Sequence, residues 1–192
     1  MYVLFEGIDT AGKTTQIGQI ALRHPEAVIT REPGGTPFGQ QLRRILLEED
    51  TLHSPRAEML LFLADRAEHY DEVIAPSRDG LVISDRGFLS GIGYAMASGD
   101  TGLEELIALN QFALRGDWPD EIIFFQTDLP TLQARMGAKS PDGIEQRGLL
   151  YLMEVQQHML DALSVLGIPY LVVDATRKPA AVQASISSYL GL

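Results

Sequence analysis

Near the N-terminus, Gly7-Ile8-Asp9-Thr10-Ala11-Gly12-Lys13-Thr14 follows the spacing G-x-x-x-x-G-K-[ST]. Glycines at both ends let backbone N–H groups turn inward onto oxyanions. The lysine adds a mobile positive charge for β- and γ-phosphates, and the neighbouring hydroxyl can bind Mg²⁺. The segment follows the apolar run 2–5 and leads into a helix-period stretch, the strand–loop–helix context such a cradle needs. Residues Gly7, Ile8, Asp9, Thr10, Ala11, Gly12, Lys13, Thr14 and Thr15 are therefore expected to hold a nucleoside triphosphate.

Further segments carry chemistry of their own. Thr30-Arg31-Glu32-Pro33-Gly34-Gly35-Thr36 forces a tight turn and permits close ligand approach, although an ordinary turn would use the same residues. Arg43 and Arg44 lie on a helix, where one could face an anion and the other water. Phe62 and Arg66 are four apart and share a helical face. A ring that stacks on a base beside a guanidinium that binds phosphate would suit a nucleotide. The alternative is a core phenylalanine and a salt bridge from Arg66 to Asp65 or Glu58. Asp85-Arg86 ends an apolar run. Asp85 could hold Mg²⁺ through water and Arg86 an acceptor phosphate, or the two could form a structural ion pair. Arg135 could stack on adenine or reach phosphates, and Lys139 could close over a transferred group. Glu145 could simply complement a helix dipole.

These groups need elements to position them. Apolar, β-rich runs at 2–5, 27–30, 81–84, 122–126 and 170–173 read as five strands. Helix-period stretches lie between and after them at 14–22, 38–47, 57–74, 103–114, 129–136, 144–166 and 178–190. The alternation predicts an α/β fold of the P-loop NTPase type: a parallel five-stranded sheet with helices on both faces. Ligands in such sheets sit beyond the carboxyl ends of the strands, where the motifs above fall. The polar, turn-forming stretch 137–143 reads as a short flap (a LID) or a passive helix–helix loop.

With 192 residues the expectation is one domain over 1–192. A net charge of −11 argues against bulk nucleic-acid binding while leaving local phosphate sites possible. The absence of cysteine excludes disulfides and thiolate metal sites. No apolar run reaches membrane-spanning length, and Met1 leads almost directly into a strand, leaving no room for a signal peptide. A cytoplasmic enzyme with no membrane partner is expected.

In order along the chain, Phe5-Glu6-Gly7-Ile8-Asp9 with the loop after it, Arg31-Glu32-Pro33-Gly34-Gly35-Thr36, Leu42-Arg43, Phe62-x-x-x-Arg66, Asp85-Arg86, Pro119-Asp120 and Val173-Asp174-Ala175 resemble a bacterial-type thymidylate kinase. The resemblance implies ATP-dependent phosphorylation of dTMP to dTDP with Mg²⁺, as a step toward dTTP, by a homodimer. It implies Phe62 stacking on thymine and Arg66 at the base's edge, with Arg86 and Arg43 on the dTMP phosphate. Asp9 would lie near the 3′-hydroxyl and Tyr94 near the 2′ position. Pro33 completes the acceptor pocket, and Ser90 substitutes for a polar side chain at Gly91. Lys13, Gly12 and Thr14 would hold phosphates and metal, with Asp85 also on the metal. Arg135 and the loop at Asp174-Ala175-Thr176 would flank adenine. The catalytic set implied is Lys13, Arg86, Asp9 and Lys139.

Two departures from the pattern matter. Thr10 stands where some members carry a loop arginine. Asp142-Gly143-Ile144-Glu145 has glycine in place of the family's arginine, which leaves Lys139 or Arg147 to neutralise the transferred phosphoryl. A phosphate-monoester acceptor is already anionic, so direct in-line transfer needs alignment and charge neutralisation rather than a strong base. Two other readings are weighed. A deoxynucleoside kinase would use Glu6 or Asp9 as a base. A GTPase-like switch would carry an Asn-Lys-x-Asp segment, which the chain lacks.

Overall fold

The computed structural model describes residues 1–49, 54–99, 101–137 and 148–192. Five strands, β1 (Tyr2–Glu6), β2 (Val28–Arg31), β3 (Val82–Asp85), β4 (Glu121–Gln126) and β5 (Tyr170–Asp174), pair entirely in parallel in the order β2-β3-β1-β4-β5. The central strand β1 is buried at all five positions, which is why it reads as a continuous apolar run rather than an alternating one.

Side chains still alternate between two cores. Val3, Phe5, Ile83, Ile123, Phe125 and Val173 pack against α1 (Lys13–Arg23) and α8 (Pro179–Leu190) through Ile17, Ile20, Val182 and Ile186. Tyr2, Leu4, Val82, Ile122 and Phe124 face the other way, onto α4 (Phe88–Ala97) and α7 (Leu149–Leu166). The helix after β1 thus covers one face and the helix after the neighbouring β3 covers the other. Their connecting loops part at the carboxyl edge and open the crevice that doubly wound sheets use for ligands.

α2 (Pro37–Leu47), α3 (Pro55–His69), α5 (Leu103–Ala113) and α6 (Leu129–Met136) complete the eight α-helices among the described residues. Local chemistry starts several of them. Thr36 and Asp128 accept N-cap bonds from Gly39 and Thr131 at 2.9 and 2.8 Å, and proline occupies the first turn of both helices. The five strands match the expected runs to within a residue or two at each end.

The helices depart from expectation in two places. The stretch 57–74 is helical in two parts, because α3 passes into a π-helical turn at Tyr70–Ile74, where the Ala75 N–H reaches the Tyr70 carbonyl. The wider turn keeps both Tyr70 and Ile74 buried. α4 has no counterpart among the expected helices, since Gly91 and Gly93 hide its periodicity. Gly93 is there for packing: a Cβ would lie 2.7 Å from Met159 Cγ and 2.9 Å from the Val155 carbonyl. The proposed flap beyond Gly137, with Lys139, Glu145 and Arg147, and the expected helix start at 144 lie outside the described residues.

Candidate active site

The loop from β1 to α1 bends through Gly7 (φ 137°), Thr10 (φ 60°) and Gly12 (φ 101°). At Gly7 the bend has a steric reason too, because a Cβ would meet the Phe125 carbonyl oxygen at 2.6 Å. Lys13 turns back into this loop, and its Nζ donates to the Gly7 and Ile8 carbonyls at 2.8 and 3.1 Å. Burial, and then the Arg86 guanidinium, push its pKa down to about 8. The Thr14 hydroxyl donates to Asp85 Oδ2 at 3.0 Å, so the two expected metal-side residues meet although they come from different strand ends. The cleft over this loop has a volume of about 730 Å³ and reaches from Lys13, Thr14 and Thr15 across to Arg31, Arg43 and Arg86.

Arg86 occupies the junction. Its backbone takes positive φ (71°), a conformation rare for a non-glycine residue. Its guanidinium donates to the Gly7 carbonyl at 2.8 Å and the Ser90 hydroxyl at 3.0 Å, and pairs with Asp9 at 2.7 Å. One side chain therefore touches the phosphate loop and the wall of a second pocket.

That second pocket is lined by Asp9, Pro33, Arg43, Phe62, Arg66, Arg86, Ser90 and Tyr94, all eight residues expected to hold the acceptor, together with Glu32, Leu47, Gly87 and Gly91. The Glu32–Pro33 peptide bond is cis, and Arg43 Nη1 donates to the Pro33 carbonyl at 3.0 Å. The salt bridge of the alternative reading of Arg66 exists, but with a partner other than the two named for it. Neither Asp65 nor Glu58 takes its charge; buried Glu32 does, through Nε at 2.9 Å and Nη2 at 2.9 Å, while Nη1 donates to Asn110 Oδ1 at 2.6 Å. Asp65 instead accepts from the Gly34 N–H at 3.0 Å. Burial opposes the charge on Glu32, yet Arg66 and His69 outweigh it and hold the carboxyl below its usual range.

At the far end, Arg135 donates to the Thr10 and Ala175 carbonyls at 3.1 and 2.7 Å. It ties the phosphate loop to the turn after β5. A cleft of about 270 Å³ lies there, between Ala11, Thr15, Arg135, Ala175, Arg177 and Pro179.

Four residues that matter to this geometry escaped the sequence reading as members of the site: Glu6 in its structural role, Glu32 as a counter-ion, His69 and Asn110. Glu6 is fully buried. It accepts from the Gly87 and Ser90 N–H groups at 2.9 and 3.1 Å and from the Ser90 hydroxyl, so it anchors the start of α4. Burial pushes its carboxyl up. His69 lies three residues beyond Arg66 on one face of α3, a spacing that was available as a signal. Asn110 carried only a faint one, a polar residue on the buried side of α5.

A family model described as thymidylate kinase matches residues 5–186. The thymidylate kinase of Sulfurovum sp. (strain NBC37-1) is 57% identical over 190 residues, 99% of each chain. That of Campylobacter curvus is 46% identical, again over 99% of both. The crystal structure of thymidylate kinase from Ehrlichia chaffeensis superposes with a TM-score of 0.78 at 26% identity, covering 100% of this chain and 98% of the other. Matched in sequence along nearly its whole length and in fold to a solved member, the chain belongs to the thymidylate kinase family.

Proposed function

We infer that the protein catalyses ATP-dependent phosphorylation of dTMP to dTDP. The observation that carries this is Arg86, which bonds the phosphate loop at Gly7 and the acceptor pocket at Ser90 and Asp9 with one guanidinium. Two phosphate-bearing substrates bound in these clefts would meet at that cation. In the transfer, an oxygen of the dTMP phosphate forms a bond to the γ-phosphorus as the bond from that phosphorus to the β–γ bridging oxygen breaks. ADP leaves with the electron pair.

The chain's own groups do the positioning. Lys13 moves from the Gly7 and Ile8 carbonyls onto donor phosphate, Arg43 and Arg86 hold the acceptor phosphate, Phe62 stacks on the base and Arg66 faces its edge. Arg135 flanks the donor's adenine. Thr14 and Asp85, hard oxygen donors in contact, suit Mg²⁺, which keeps several waters and takes few protein ligands. When bound, the ion neutralises charge on the donor phosphates. A phosphate-monoester acceptor, already anionic, needs no general base. Glu6 has both carboxylate oxygens occupied by the start of α4, which argues against phosphorylation of a sugar hydroxyl. Lys139, assigned to the transferred phosphoryl on sequence grounds, lies outside the described residues.

No helix among the described residues is long and apolar enough to cross a membrane, which is in keeping with a cytoplasmic site of action. The homodimer that the family resemblance implies would use α3 and α5, where Leu60 and Phe112 are 56% and 86% exposed. Sedimentation of a Phe112→Asp variant checks this, with a monomer expected.

The test of the activity is ADP release with ATP, Mg²⁺ and a panel of dTMP, dUMP, UMP, CMP, AMP and GMP. Strong preference for dTMP is expected. Preference for another monophosphate would overturn the acceptor assignments, and turnover indifferent to acceptor would overturn the kinase reading.

A further inference from the structure

Beside the acceptor pocket runs a buried chain of hydrogen bonds that no step of the transfer uses. Thr30 on β2 contacts His69 Nε2 at 2.6 Å, and His69 Nδ1 contacts Glu32 Oε1 at 2.9 Å. The other carboxylate oxygen of Glu32 takes Arg66, and Arg66 ends on Asn110, whose amide donates onward to the Leu106 carbonyl at 2.7 Å. Glu32, Arg66, His69 and Asn110 are each 3% exposed or less. Since ionised Glu32 only accepts, Nδ1 donates to it, and Nε2 meets the Thr30 hydroxyl.

The geometry limits what Arg66 can do. Nε and one Nη1 N–H are hydrogen-bonded to Glu32 and Asn110, and Nη2 lies 2.9 Å from the same Glu32 oxygen, so both terminal nitrogens keep N–H groups for another partner. Both terminal nitrogens lie 3.4 Å from the point a Cβ on Gly91 would occupy. The outer edge of the guanidinium therefore faces the glycine wall of the pocket, where α4 leaves space. That edge is fixed from both sides: His69 stops the Glu32 carboxylate from rotating, and Asn110 pins Nη1.

We propose that His69 and Asn110 are positioning residues that hold Arg66 as a rigid, donor-only reader of the acceptor base, so that the pocket selects keto over amino pyrimidines. A guanidinium has no acceptor. A carbonyl on the base edge meets it favourably, whereas an amino group sets donor against donor and leaves buried polar groups unpaired. The proposal rests on the dTMP kinase reading and adds what holds Arg66 in place.

The experiment measures kcat and KM for dTMP, dUMP and dCMP, and KM for ATP, in the wild type and in His69→Leu, His69→Asn, Asn110→Leu and Asn110→Asp. The expected wild type turns over dTMP and dUMP well ahead of dCMP. In His69→Leu and Asn110→Leu, KM for dTMP should rise about tenfold or more, the scale of one misaimed hydrogen bond to a charged group. The dTMP-to-dCMP ratio of kcat/KM should fall by a similar factor, with KM for ATP unchanged. His69→Asn, which keeps a donor near Nδ1, and Asn110→Asp, which keeps the acceptor, should restore most of the discrimination. The proposal is overturned if the folded variants keep the wild-type ratio, if both KM values rise together, or if the conservative variants rescue nothing. Should the leucine variants not fold, a dTMP-to-dCMP ratio that collapses in the folded conservative variants, or a wild type that does not discriminate against dCMP, overturns it equally. A wild type without monophosphate-dependent turnover would instead sink the underlying activity.

Discussion

The proposed donor cradle and the proposed acceptor pocket meet at Arg86 but are built by opposite means. The cradle is backbone from one stretch of chain, Gly7 to Thr15, bent by two positive-φ glycines and Thr10. The pocket is side chains from the β1, β2 and β3 loops and from α2, α3 and α4, held by buried ion pairs such as Glu32 with Arg66. A backbone cradle grips any triphosphate, because every peptide N–H is alike. A pocket of side chains can tell one base from another, and maintaining it requires buried charges that are fully paired.

The sharpest test of this division is Arg86→Ala, which removes the one group common to both halves. We expect kcat/KM to fall on the order of 10³-fold, the scale of losing a preorganised charge at a reacting centre. Phe62→Ala should instead raise KM for dTMP by about tenfold, within the range of a lost base-stacking contact, and leave KM for ATP unchanged. Equal, mild losses in the two variants would erase the distinction between phosphate and base recognition.

Lys13 tests the cradle through stability. Its pKa in the free protein is about 8, against an ordinary 10.5. Below about pH 8 the lysine is charged in both the folded and the unfolded state, so the full penalty for burying it is present. Between about 8 and 10.5 the folded protein has released the proton while the unfolded chain retains it, so stability rises with pH. Lys13→Met should abolish turnover yet stabilise the ligand-free protein at pH 7, because it removes the burial penalty that lowers the lysine pKa. The gap to wild type should narrow above pH 8. Denaturation curves at pH 7 and 9.5 check it, and a gap that widens would refute it.

An effect of the same size as that at Phe62 is expected at Asp85. Asp85→Asn keeps a hydrogen-bond acceptor for Thr14 but removes a charge, and should raise the Mg²⁺ concentration for half-maximal activity by about tenfold. Activity titrated against Mg²⁺ decides this, and an unchanged midpoint would remove Asp85 from the metal side.

The two halves differed in how far they could be read from residues alone. The cradle was legible because its parts are neighbours in the chain. The strands were legible because burial on both faces makes them apolar throughout. α4 was not, because its Gly93 answers to Met159 and Val155 on α7 and disguises the helical period. All eight expected acceptor residues line one pocket, yet the partner of Arg66 was misjudged. Nearness in the chain suggested Asp65 or Glu58, while the carboxylate that pairs with it sits 34 residues away, beside the cis bond before Pro33.

The sequence by itself determined the phosphate loop, the parallel α/β layout and the family motifs, since each depends on spacings of a few residues. Only the tertiary structure decided which side chains meet. Thr14 reaches Asp85 across 71 positions, Arg86 reaches the Gly7 carbonyl across 79, and Arg66 reaches Asn110 across 44. Those pairings follow from the strand order β2-β3-β1-β4-β5, which sets the ends of β1 and β3 side by side and sends their helices to opposite faces. Local propensity has no term for such an arrangement, because only burial of both faces of the sheet at once selects it.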